Sequence, residues 1–410
     1  MPNWEKTMKK LTLAAFGASL FASTALADDV TLTMWTESSN APEAVFATEF
    51  SEMDNGITID VREVRFDDLV AETLRAFATQ SNPDIIAIDN PDHAAFASRG
   101  AFLDLTPYVE QSDQIDMDNY FDGPRSSLTW DDGVFGIPRA SNTIALYYNK
   151  DMFRAAGLNP DSPPATWDEL YEAAKALTDP DNDVYGIAFS AKASEEGTFQ
   201  FLPWAQMAGG SFDNINADGV SEALDLWKAF FDEGLTSPDT LTRGQWDSTG
   251  TFNGGNAAMA ISGPWELGRM ASDAQFDWGV TLLPVPEQGA PRASALGDFN
   301  LAVFANTENP DAAFSFLEYA DSQAERVWPE FTRMPSRKDI ELAPTGNEKI
   351  DAAAPVFVEQ LQYARNRGPH PEWPRISKAI QDAFQSALTG QKGAQEALDD
   401  AQGQIDRILN

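Results

Sequence analysis

Cysteine is absent from this chain and histidine occurs only at His93 and His370, so most residue types that perform covalent or metal chemistry are missing. No disulfide, thiolate nucleophile, Cys-ligated zinc site or iron–sulfur cluster can form. A Ser-His-Asp triad would need one of the two histidines, and neither stands in a suitable context. The spacings G-x-S-x-G, H-E-x-x-H, the P-loop and G-x-G-x-x-G do not occur. Asp179, Asp181 and Asp183 begin like a calcium loop. Val184 stands where the turn glycine belongs and Ser190 where the closing glutamate belongs, so an acidic turn is expected. No catalytic residue, metal or cofactor is expected.

Two residue types remain as candidates. Carboxylates number 64, enough that a catalytic pair of the glycosidase kind cannot be picked out by spacing. Tryptophan numbers eleven and is more informative. Indoles at strand-to-loop junctions can stack on the apolar faces of sugar rings while carboxylates and amides take the hydroxyls. Trp35 ends a first strand, Trp204 precedes Ala208-Gly209-Gly210, and Trp265 follows Ser262-Gly263-Pro264. Each could equally be a core residue. Trp167 and Trp227 lie inside helical patterns and read as packing residues.

The elements that must position these residues follow from hydrophobic period. Val30–Met34, Ile57–Val64 and Asp84–Ile88 read as strands, separated by helices over Pro42–Met53 and Phe66–Gln80. This β-α-β-α-β order argues an α/β layer fold with a mostly parallel sheet. The pattern recurs with strands at Ile144–Tyr148, Gly186–Phe189, Ala257–Ile261 and Trp278–Leu282. Thr166-Trp167-Asp168-Glu169 is a capping box opening a helix to Leu177. Val220–Glu233 is an amphipathic helix, and two more close the chain, from Pro374 to Gly390 and over Gln395–Leu409.

The 410 residues carry 28 Lys+Arg against 64 Asp+Glu, a net charge of −36. Such a polyanion has no basic footprint for nucleic acid and is repelled by anionic lipid. Met8-Lys9-Lys10, the uncharged run Leu11–Ala27 and the closing Ala25-Leu26-Ala27 form a secretory signal peptide, with cleavage predicted after Ala27. Residues 1–27 hold three Lys and one Glu, so the mature charge is 25 − 63 = −38. A periplasmic or extracellular protein, free of the membrane, is expected.

Several segments in fixed order resemble one family. Pro83-Asp84-Ile85-Ile86, Phe96-Ala97-Ser98-Arg99-Gly100 and Leu103-Asp104-Leu105-Thr106 come first. Gly136-Ile137-Pro138 with Leu146-Tyr147-Tyr148-Asn149-Lys150-Asp151 follows, then Pro164-Ala165-Thr166-Trp167-Asp168-Glu169-Leu170. Phe252-Asn253-Gly254-Gly255-Asn256-Ala257-Ala258-Met259 leads to Gly263-Pro264-Trp265, and Gly390 through Gln402 closes the set. Together they resemble the extracellular solute-binding proteins of bacterial ABC importers, in the sugar-binding, maltose-binding-protein-like branch.

That resemblance implies a two-lobed periplasmic binding protein of type II, each lobe a mostly parallel sheet flanked by helices, joined by a multi-crossover hinge. Lobe 1 is expected over 28–140 plus 304–345, and lobe 2 over 141–303 plus 346–410. It implies a small-molecule ligand in the cleft (a mono- or oligosaccharide, polyol or glycoside), ABC permease subunits as partners and a monomeric state. Carried over by position, the loop from Trp35 through Glu37 and Ser38 to Asn40 faces the cleft from lobe 1. So does the loop carrying Asp89, Asn90 and Asp92. Asn142 and Asp298 are hydroxyl ligands at the two crossovers, and Trp265 is the stacking aromatic. Where the family has a late stacking residue this chain has Ser377, with Trp373 close by, which leaves the number of sugar subsites open. Arg139 and Arg333, at the first and third crossovers, could instead anchor an anionic group. The same fold binding an anionic glycoside, a glycerophosphodiester or a polyamine, and more remotely an exported glycoside hydrolase, are the alternatives.

Overall fold

The computed structural model describes residues 29–410, so the signal peptide read at 1–27 lies outside the described residues. Strands β1 (Val30–Thr36), β2 (Ile57–Glu63) and β3 (Ile85–Asp89) run parallel and belong to one sheet with β4 (Ile137–Pro138). Strands β5 (Ala145–Asn149), β6 (Met259–Ser262) and β7 (Trp278–Thr281) form a second sheet. β8 (Phe299–Val303) returns to the first, whose order is β2-β1-β3-β8-β4. β3 sits at its centre, which is why its five residues are all buried and none alternates.

The parallel arrangement expected for both lobes holds among β1, β2 and β3. In lobe 2 the central β5 is antiparallel to both β6 and β7. β5 leaves the hinge, while β6 and β7 run back toward it. Gly186–Phe189 makes bridges rather than a strand, Ala188 pairing in parallel with Ala260. β8 pairs with β3 and β4, so the chain re-enters lobe 1 at Gly297-Asp298. That corrects the boundary expected after residue 303.

Helices α1 (Pro42–Ser51) and α2 (Phe66–Thr79) follow β1 and β2 in lobe 1. α3 (Trp167–Leu177) opens on the expected capping box: Thr166 accepts from the Glu169 N–H and Glu169 accepts from the Thr166 N–H. α4 (Glu195–Met207) is buried on every side from Gly197 onward. A helix buried on all sides belongs inside a core, its Gln200 hydrogen-bonded there to the Ser190 N–H and the Ile261 carbonyl, and this corrects the reading of Trp204. Its ring is fully buried between Trp167 at 5.6 Å and Trp227 at 6.4 Å, in the core of lobe 2. α5 (Gln245–Asn253) leads toward β6, and α6 (Trp373–Leu388) packs across α4.

The three passages between lobes lie side by side. The Ser141 N–H bonds to the Met334 carbonyl at 2.6 Å, and the Asn142 N–H bonds to the Gly297 carbonyl at 3.1 Å. Among the described residues no helix is long and apolar enough to cross a membrane, and no group of three His, Asp or Glu is placed to hold a metal ion.

Candidate functional site

A cavity of about 180 Å³ lies between the lobes, beside the three passages. Lobe 1 contributes the turn after β1 (Glu37), the start of α2 (Phe66), the end of β3 (Asp89) and the first crossover (Arg139). Lobe 2 contributes Glu195, Glu196 and Phe199 from the first turns of α4, Gln245 from α5 and Trp265. Asn142, Asp298, Phe299 and Arg333 come from the crossovers, and Arg367 from the segment before α6.

The aromatic wall is built by local geometry. β6 ends at Ser262, and Gly263 lets the Trp265 indole lie directly on the backbone. A Cβ at Gly263 would stand 1.9 Å from the indole ring. Phe199 lies 6.2 Å from Trp265, ring centre to ring centre, and Phe199 in turn carries the Arg367 guanidinium 4.5 Å above it. Trp265 is partly exposed into the cavity, unlike the other two candidate indoles.

The polar rim is organised by Asp298, whose backbone has φ +96°, a strained conformation for a residue with a side chain. Its carboxylate accepts from Arg139 Nε at 2.7 Å, from Asn142 Nδ2 at 3.1 Å and from its neighbour's N–H at 2.8 Å. Arg139 is fully committed: it also meets Glu37 at 2.9 Å and Glu43 at 2.8 Å, and its side chain is 3% exposed. This corrects the anion-anchor reading, because three carboxylates already occupy that guanidinium. Burial pushes Glu43 up to about 7, with Arg139 opposing and Glu37 reinforcing the rise. Arg333 is less engaged. It reaches Asp298 at 3.6 Å and the Phe331 carbonyl at 3.1 Å, and burial lowers its pKa, opposed by Asp298.

Arg367 forms the second cluster. It meets Asp89 at 3.0 Å, Glu195 at 2.6 Å and the Asn90 amide oxygen at 3.1 Å, so it ties the end of β3 to the start of α4. Burial raises both carboxyls, with Arg367 opposing. Two further ion pairs span the lobes, Lys192 with Asp67, and Arg99 with Glu372 at 3.1 Å.

Of the residues expected from sequence, Glu37, Asp89, Arg139, Asn142, Trp265, Asp298 and Arg333 line the cavity. Asn90 lies behind it, buried against Arg367. Ser38 turns aside to accept the Asn40 N–H. Trp35 is 8% exposed in the lobe 1 core, covered by Arg62 at 4.6 Å, because the end of β1 is buried on both faces. The chain turns into the cleft two residues later, at Glu37. Ser377 donates to Glu195 and Trp373 is fully buried, so neither supplies a second aromatic face. His93 is buried and held neutral, its pKa lowered by burial to about 3.

Comparison with known proteins agrees with this architecture. The family model for bacterial extracellular solute-binding proteins matches residues 35–326. The galactooligosaccharide-binding protein of Bacillus subtilis is 23% identical over 90% of this chain and 87% of its own. The sn-glycerol-3-phosphate-binding periplasmic protein of Rhizobium meliloti is 25% identical, covering 80% of this chain and 81% of its own. An ABC transporter solute-binding protein of Thermotoga lettingae, solved with α-D-tagatose bound, superposes with a TM-score of 0.83 at 26% identity. It covers 93% of this chain and 100% of that one.

Proposed function

The chain belongs to the bacterial extracellular solute-binding proteins, and from that premise we propose that it captures a sugar or small glycoside between its lobes for delivery to an ABC permease. The observation that carries this is the pairing of a partly exposed indole, Trp265, with the rim of Asn142, Asp298, Arg333 and Gln245. A ring stacked on the indole presents its hydroxyls to that rim. At about 180 Å³ the cavity is smaller than the roughly 300–1,000 Å³ of drug-sized sites, which favours one ring over an oligosaccharide. Ligand contacts to both lobes favour the closed state, since only that state makes both sets. Export with cleavage after Ala27 places the protein on the outer side of the permease.

The charge of the cavity argues against a phosphate ester. Five carboxylates line it against three guanidiniums, and two of those guanidiniums are neutralised internally. Titration calorimetry of hexoses, pentoses, polyols, sn-glycerol-3-phosphate and spermidine tests the reading, with glycoside turnover followed in parallel. One-to-one binding of a neutral sugar without turnover is the expected result. Binding of the phosphate ester alone, or hydrolysis of a glycoside, overturns it.

Gly297 supplies a further test. A Cβ there would stand 2.2 Å from Asn142 Oδ1 and 2.7 Å from the Phe199 ring. Gly297→Ala is expected to displace both and to weaken sugar binding by about tenfold or more, the scale of an overpacking cost of about 1–3 kcal/mol. Calorimetry with the sugar identified above checks it.

A further inference from the structure

Next to the aromatic cavity lies a second, larger one of about 340 Å³, also between the lobes. The two share Phe66, Asp89 and Glu195 as a common wall. The second has a different character. Among the described residues its lining carries no Trp or Tyr and a single cation, Lys192, while Asp67, Asp89, Asp92 and Glu195 all face it.

With every carboxyl ionised, the charges there do not cancel. Lys192 is taken by Asp67 at the lip, from the opposite lobe. Arg367 is shared between Asp89 and Glu195, which leaves one negative charge over. Asp92, when ionised, adds another. Its residue is only 4% exposed, and among the described residues no side chain or backbone donor reaches its carboxylate, although the groups around it are all engaged. Burial, with Glu195 and Asp89 nearby, raises its pKa well above the ordinary value, so without a cation beside it the neutral acid is favoured. A cation entering this cavity would favour the ionised form of Asp92 and pair with it. Hydroxyl donors alone supply no positive charge to hold Asp92 ionised.

Resting on the sugar-binding reading above, the geometry points to an amine-bearing glycoside as the ligand class: a sugar ring on Trp265 with an ammonium group directed past the shared wall toward Asp92. The amine donates to the Asp92 carboxylate, a charge-assisted bond worth more than a neutral one. Lys192 and Asp67, already paired across the lobes, cover the amine at the lip.

The experiment is calorimetry on the full mature chain with matched probes: D-glucosamine against D-glucose, D-galactosamine against D-galactose, and the β-1,4 glucosamine disaccharide against cellobiose. At least one amine is expected to bind about tenfold or more tightly than its parent, and the N-acetylated form is expected to lose that gain. Asp92→Asn is expected to collapse the amine-to-parent affinity ratio toward one. If that variant does not fold, the wild-type comparison stands alone as the test. Parents binding as well as amines, or an unchanged ratio in Asp92→Asn, overturns the amine inference and leaves the sugar function in place. Failure of every sugar and amine to bind overturns both.

Discussion

Trp265→Ala is expected to weaken sugar binding by roughly 30- to 160-fold while leaving the fold intact. The indole is partly exposed, lies on Gly263 and touches only the edge of the lobe 2 core through Phe199, so its removal opens little internal cavity. What is lost is the apolar face a sugar ring would cover. Burying an aromatic face contributes about 2–3 kcal/mol when area and ring stacking are taken together, and each 1.4 kcal/mol is a factor of ten in affinity. Trp265→Phe keeps a smaller face and should recover part of the loss. The contrast is Trp204→Ala, at a fully buried indole wedged between Trp167 and Trp227. That change should cost about 3–5 kcal/mol of stability, as large-to-small core substitutions do. Calorimetry for affinity and urea denaturation for stability separate the two effects. An unchanged affinity in Trp265→Ala would remove the indole from the site.

Trp265 was legible in the sequence because its surroundings are. A strand followed by Ser-Gly-Pro-Trp marks a chain leaving a sheet edge toward the cleft. Trp35 and Trp204 have superficially similar settings, and only packing tells them apart. β1 is buried to its last residue, and α4 is buried on every face from Gly197 onward. Local pattern does not report how deep an element lies. The strands and helices that carry a clear period appear where the period puts them, whereas α4, with a proline at 203 and no polar face, left no signal for its cleft-facing first turns. Glu195, Glu196 and Phe199 were missed for that reason. Arg367 was missed because its segment, Asn366–Pro371, has no period at all. The scarcity of basic residues that made Arg139 and Arg333 conspicuous applied equally to Arg367, and that was the available clue. The relations between residues were beyond the sequence: that Arg139 is closed off by Glu37, Glu43 and Asp298 depends on three segments meeting at one point.

That meeting point predicts a pH-dependent loss of stability. Arg139→Met removes the positive charge from among three carboxylates, of which Glu43 and Asp298 have fully buried side chains. Breaking a buried ionic cluster by removing one partner costs about 3–5 kcal/mol, a large fraction of the ordinary 5–15 kcal/mol of a domain. The sign of the pH effect follows from Glu43, whose pKa is raised from 4.5 to about 7 in the folded protein. Between those two values the folded chain holds a proton that the unfolded chain has released. The wild-type contribution is therefore fully present below about 4.5 and is lost as the pH rises through about 7. Glu266, also raised to about 7 by burial, adds a slope of the same sign. Without Arg139 the influence that lowers Glu43 disappears, its pKa rises further, and the window extends above 7. The destabilisation of Arg139→Met should thus be smaller near pH 5 than near pH 8.5, when urea denaturation of unliganded protein is compared at both. Adding Glu43→Gln should restore part of the loss at the higher pH, because a neutral amide does not need the missing guanidinium. A penalty equal at both pH values, or no recovery in the double variant, would mean that Arg139 supports the hinge by packing on Phe299, 4.5 Å away, and not by neutralising the carboxylates around it.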